Sequence, residues 1–191
     1  EYARTPRASE RVQTPMLGIK VHEFTCEPAA VVRHVGALLG PQLKKARATL
    51  SSEIQSTSAV TIEAHALQQV LVNLVQNAAQ AMSSTGATAP DPARTPEGAT
   101  ITGGRIHITV KSAPGGIATM ILVADDGPGI PEKDRPKVFG PFFTTRAAGQ
   151  GTGLGLAVCK HLIATAGGSI EVGEGPDGHG AEFRVVIPNA T

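Results

Sequence analysis

Asn73 and Asn77 stand four residues apart in the run LQQVLVNLVQNAAQAM. On a helix, that spacing stacks two amides on one face. An amide oxygen is a hard donor, and Mg²⁺ takes few protein ligands beside phosphates and water, so an amide on this face could serve such an ion. Asparagine has poor helix propensity, and two in mid-helix cost stability unless something uses them. Two solvated or locally bonded amides are the plain alternative.

Three more patches follow in order. Asp125 comes straight off the apolar run Ile121-Leu122-Val123 and is followed by Asp126, Gly127, Pro128 and Gly129. A carboxylate at a strand end can accept a hydrogen bond from an amine, and the two glycines let backbone approach a flat ligand. A simple surface turn is the competing reading. Phe139, Phe142 and Phe143 supply three of the five phenylalanines. They read as an anchor for a mobile segment, or as ordinary core. Arg146 follows Thr144-Thr145, with a solvated arginine as the alternative.

The last patch is Gly149-Gln150-Gly151-Thr152-Gly153-Leu154-Gly155. Alternating glycines just before a helix expose N–H groups beside a partial positive charge, which suits phosphate; a flexible hinge is the alternative. Leu154 falls where a dinucleotide fingerprint needs its third glycine, and no Gly-Lys-Ser/Thr follows, so neither common nucleotide loop is present.

These patches need positioning elements. Pro28 opens a helical pattern with Val31, Val35, Leu38 and Leu39 on one face, running towards Arg47 with a break at Gly40-Pro41. Two short strands follow, Thr49–Gln55 and Ala59–Ile62. Residues 64–82 carry a broad apolar stripe of Leu67, Val70, Leu71, Leu74, Val75 and Ala78, the mark of a packed helix. Residues 83–104, rich in small residues, Pro and Gly, read as a flexible insertion. Strands are expected at Arg105–Lys111 and Met120–Ala124, joined by a turn at Gly115-Gly116. A helix over Leu154–Ala166 stops at Gly167-Gly168, and strands at Ser169–Val172 and Ala181–Ile187 close the chain. The element count predicts an α/β fold, a sheet with helices packed on it.

The chain has 191 residues, enough for one α/β domain plus a tail. With 3% aromatics and no tryptophan, its core must be built from Val, Ile, Leu and Ala. Seventeen basic and sixteen acidic side chains leave no strong field, which argues against nucleic-acid or anionic-membrane binding. Cys26 and Cys159 suit free thiols in a reducing cytoplasm. No run of about 18 apolar residues suggests a membrane span. Residues 1–20 read as a linker, and the opening Glu1-Tyr2-Ala3-Arg4 as the edge of an excised fragment.

In this order, the four patches resemble the N, G1, F and G2 boxes of the catalytic ATP-binding domain of sensor histidine kinases, over residues 21–191. NAAQAM and GPFFTTR are most similar to the nitrogen-regulatory branch. The resemblance implies a two-layer α/β sandwich with a mixed sheet and helices on one face, and an ATP lid over 130–150. Residues 1–20 would then include the remnant of a dimerisation hairpin. It implies that Asp125 bonds the adenine amino group and that Asn77 holds Mg²⁺. Asn73, Gly127, Gly129, Thr152, Gly153, Leu154 and Gly155 would line the ATP site, with Asn73 and Arg146 as catalytic residues and Arg146 facing the terminal phosphate. Asp126 stands where the family usually has Asn. Related hydrolases (gyrase, Hsp90, MutL) commonly carry a water-activating glutamate at the Asn73 position; an amide cannot act as a base, so hydrolysis should be weak.

The implied reaction is phosphoryl transfer to a histidine on a separate dimerisation domain, then to the aspartate of a response-regulator receiver domain. His22-Glu23 echoes the acceptor motif, but Glu27 and Pro28 break the pattern, so the acceptor is expected elsewhere. A serine kinase of the anti-sigma type and a non-catalytic nucleotide-dependent module are the alternatives. The implied location is cytoplasmic, with membrane anchoring of the full-length protein left open.

Overall fold

The computed structural model describes residues 24–84, 104–144 and 152–190. The expected linker 1–20, His22, most of the insertion 83–104, and Arg146 with the end of the lid lie outside the described residues.

In chain order the elements are α1 (Pro28–Lys45), β1 (Thr49–Ile54), α2 (Ala64–Ser84), β2 (Arg105–Ser112), β3 (Ala118–Asp125), α3 (Gly155–Thr165), β4 (Ser169–Glu174) and β5 (Ala181–Pro188). The strands form one sheet in the order β1-β2-β3-β5-β4. β1 and β2 run parallel, and every other pair is antiparallel. The expected mixed sheet is thus present.

One core lies between the helices and a single sheet face. Ile106, Ile108 and Val110 of β2, Ile121 and Val123 of β3, and Phe183, Val185 and Ile187 of β5 alternate into it. All six residues of the expected α2 stripe are buried there. α2 packs between α1 and α3, so it is the central helix.

Two expectations fail in α1. The helix does not break at Gly40-Pro41 but runs on to Lys45. Val31, Val35, Leu39 and Leu43 make one continuous buried stripe on both sides of Pro41. Pro41 and Ala37, whose carbonyl loses its helical partner, are both on the exposed side, where water can replace the missing bond. Leu38 leaves the apolar face and is 49% exposed.

Ala59–Ile62 is not a strand. Val60 is fully buried but makes one bridge to Cys26 and another to Asn189. Each neighbour offers it a single residue, so no ladder propagates. The remaining elements match expectation closely. β2 and β3 turn through Gly115-Gly116. α3 ends in a Schellman motif, with Gly168 N–H on the Ile163 carbonyl (2.9 Å) and Gly167 N–H on that of Ala164 (3.0 Å).

Candidate functional site

Asp125 is the last residue of β3 and is only 7% exposed. Its Oδ1 accepts the backbone N–H of Gly127 at 2.9 Å and that of Ala181 at 3.4 Å. Among the described residues Oδ2 has no such partner, and none of their buried side-chain polar atoms is left unpaired. Oδ2 therefore keeps some solvent access and can accept a further hydrogen bond. Burial pushes the Asp125 carboxyl above its ordinary value; the Gly127 and Ala181 amides oppose the shift, and the neighbouring Asp126 charge adds to it.

Asp126 points elsewhere. Its carboxylate accepts Arg105 N–H at 2.7 Å and Arg105 Nε at 3.0 Å, while its own N–H bonds the Arg105 carbonyl at 3.2 Å. These bonds fasten the end of β3 to the start of β2.

The turn after Asp125 packs backbone against backbone. Gly129 has φ +75°, and a β-carbon there would lie 2.7 Å from the Gly180 carbonyl oxygen. Gly180 has φ +70°, and a β-carbon on it would overlap the carbonyl of Asp125. Sequence reasoning missed Gly180 as a site residue. Its signal was the Gly178-His179-Gly180 spacing directly before an alternating strand.

α2 connects this turn to the glycine-rich segment. At one end Met82 lies under Gly127, 3.2 Å from where a β-carbon would stand. Nine residues earlier, Asn73 Nδ2 donates to the Gly155 carbonyl at 3.4 Å and to Cys159 Sγ at 3.7 Å. At the helical rise that separates the two contacts by about 13 Å along the axis. Asn77 is half-buried one turn after Asn73.

Gly155 opens α3, whose first N–H groups lack intrahelical partners. Leu154 is its N-cap and is 39% exposed, and its N–H reaches the Thr152 hydroxyl at 3.4 Å. Gly153 has φ +64°, and a β-carbon there would fall 2.5 Å from the carbonyl carbon of Phe142. The Phe142 N–H in turn bonds the Gly153 carbonyl at 3.0 Å.

The phenylalanines divide their roles. Phe139 meets Phe183 edge-on, with ring centroids 6.3 Å apart, and so anchors its segment to the sheet. Phe142 does not: it is 75% exposed, with φ 65°. A left-handed backbone held by Gly153 turns its ring outward. α2 thus touches the Asp125 turn at Gly127 and the opening of α3 at Gly155. Gly129 packs on Gly180, Gly153 packs on Phe142, and Thr152 bonds Leu154 at the start of α3; Arg146 lies outside the described residues.

Cys26 and Cys159 are free thiols, and burial pushes each up to about 11. Among the described residues no group of three or more His, Cys, Asp or Glu could hold a metal, and no helix is long and apolar enough to cross a membrane.

Residues 62–191 match the family model for histidine kinase-, DNA gyrase B- and HSP90-like ATPases, and the chain belongs to this family. Its relatives are sensor histidine kinases. The chain is 39% identical over 112 residues to the C4-dicarboxylate transport sensor protein DctB of Rhizobium meliloti, covering 59% of this chain and 15% of that protein. It is 31% identical over 137 residues to the nitrogen regulation protein NtrY of Azorhizobium caulinodans, covering 71% of this chain and 16% of that one. The chain therefore spans about a sixth of the length of these curated relatives.

Among solved structures, the nucleotide-free catalytic domain of the histidine kinase ThkA superposes with a TM-score of 0.68 at 29% identity, over 86% of this chain and 94% of that one. Full-length ShkA in complex with AMPPNP gives 0.67 at 25% identity, over 87% and 31%. ThkA in complex with the response regulator TrrA gives 0.64 at 26%, over 87% and 41%.

Proposed function

We propose that this domain binds ATP with Mg²⁺ and, within a larger sensor kinase, donates the γ-phosphoryl group to a histidine on a separate dimerisation domain. The histidine then passes it to the aspartate of a response-regulator receiver domain. One observation carries the reading: α2 touches the Asp125 turn through Met82 at one end and the first turn of α3 through Asn73 at the other. An acceptor suited to adenine and a helix N-terminus suited to phosphate thus flank one helix face. The AMPPNP bound to ShkA and the regulator bound to ThkA support the ligand and the partner.

Asp125 Oδ2 would accept the adenine amino group. Thr152, Gly153, Leu154 and Gly155 would present backbone to the phosphates. Arg146 would face the terminal phosphate. The residues fit Mg²⁺, because that ion needs only one or two protein oxygens beside phosphates and water, and the Asn77 amide can be one of them. When bound, the ion would neutralise charge on the phosphate oxygens. The protein's share of catalysis is then positioning and charge stabilisation. Asn73, being an amide, provides no base to activate water, which keeps ATP for the protein acceptor.

The test is to supply this domain with ATP and a dimerisation domain carrying an acceptor histidine. Acid-labile, alkali-stable phosphate on that domain, lost when the histidine is replaced, is the expected result. Acid-stable phosphoserine, or no transfer despite ATP binding, would overturn the reading.

A further inference from the structure

We propose that Cys159 is a positioning residue for the nucleotide site, acting through Asn73. That Asn73 serves the nucleotide rests on the function proposed above; the role of Cys159 goes beyond it.

Cys159 lies in the second turn of α3 and is fully buried. Its Sγ stands 3.8 Å from the Val70 carbonyl of α2 and 3.7 Å from Asn73 Nδ2. A backbone carbonyl only accepts, so the thiol proton goes to Val70 and a sulfur lone pair faces the asparagine N–H. The second acceptor of the Asn73 amide, the Gly155 carbonyl, is likewise an acceptor only. Two acceptors on the α3 side hold the –NH₂ end of Asn73 and so decide which way the amide is turned. Its Oδ1 is left 3.7 Å from where a β-carbon on Gly155 would stand, at the opening of α3. At that place an oxygen can meet a metal or a polarised water, whereas a flipped amide would present N–H groups. A thiol suits this task because it gives and takes a weak hydrogen bond while packing as a small apolar group. Burial holds it in the protonated form the arrangement needs.

The test uses Cys159→Val and Cys159→Thr, two side chains of the same shape, of which only threonine keeps a donor and acceptor. Cys159→Ala is added as a variant that introduces no bulk. Affinity for a non-hydrolysable ATP analogue is measured at saturating Mg²⁺ by calorimetry, beside thermal unfolding without ligand. The expected result is about tenfold weaker binding for Val and Ala, the scale of one lost hydrogen bond, with most of it restored by Thr. In an Asn73→Ala background, Cys159→Val and Cys159→Ala should change affinity no further. Native-like binding by Val or Ala, or an undiminished loss in the Asn73→Ala background, would overturn the proposal and leave the nucleotide site standing. Failure of the native domain to bind the analogue would instead overturn the nucleotide reading.

Discussion

The α-carbon of Gly180 packs against the backbone carbonyl of Asp125 with no space for a β-carbon between them. The next residue, Ala181, sends its N–H to the Asp125 carboxylate. The start of β5 therefore sets both the backbone and the side chain of the aspartate. Gly180→Ala should force the two segments apart and strain a φ of +70° as well. We expect a loss of at least about 2 kcal/mol of stability, read by denaturant unfolding, with weakened nucleotide binding in the fraction that folds. Native-like stability and affinity would show that the contact is dispensable.

Asp125→Asn should separate function from stability. An Asn retains an oxygen for the Gly127 and Ala181 amides but turns its other end into a donor, which repels the adenine amine. ATP binding should weaken by about 1.5–3 kcal/mol, the scale of a charged hydrogen bond. Unchanged affinity in a titration would sink the adenine assignment.

The pH behaviour follows from the same carboxyl. Its folded-state pKa is raised, chiefly by burial. The folded protein therefore binds this proton at a pH where the unfolded chain has already lost it. The contribution to stability is complete below the unfolded value and is lost as pH rises through the folded one. At neutral pH Asp125→Asn should thus unfold at the same or a higher temperature than the native domain, the advantage shrinking as pH falls. In the native domain, analogue affinity should decline at a higher pH than an exposed carboxylate would dictate. A more stable native domain at neutral pH would contradict the raised pKa.

Asn77→Ala should abolish the Mg²⁺ dependence of nucleotide binding while leaving weak metal-free binding in place. Titrations at matched ionic strength, with and without Mg²⁺, check this. A mutant that still gains affinity from magnesium would put the metal ligand elsewhere.

Pro41→Ala probes the uninterrupted α1. It would restore a hydrogen bond to the Ala37 carbonyl on the exposed side of the helix. We expect stability to rise, by up to about 3 kcal/mol, in chemical denaturation. No gain would mean that solvent already satisfies that carbonyl.

Much of this was legible in the chain because the relevant signals are local. The α2 stripe has helical period, β2 and β3 alternate around a glycine turn, and Asp125 ends an apolar run. What was not legible depends on partners distant in sequence. Pro41 reads as a break until the buried stripe is seen to continue to Leu43. Val60 reads as part of a strand until its two single-residue neighbours are known. Asp126 stands where the family usually has Asn, and only the cross-strand contact with Arg105 gives it a structural task. Phe142 carried the composition of an anchor, yet its backbone is left-handed and its ring is exposed to solvent. The Gly178-His179-Gly180 spacing marks a turn before β5, but that the turn meets Asp125, more than fifty residues away in sequence, is visible only in the fold.

The most direct test of the central claim is calorimetric titration of this domain with a non-hydrolysable ATP analogue, with and without Mg²⁺. The account predicts micromolar binding that depends on magnesium. Absence of binding, or binding indifferent to the metal, would contradict it.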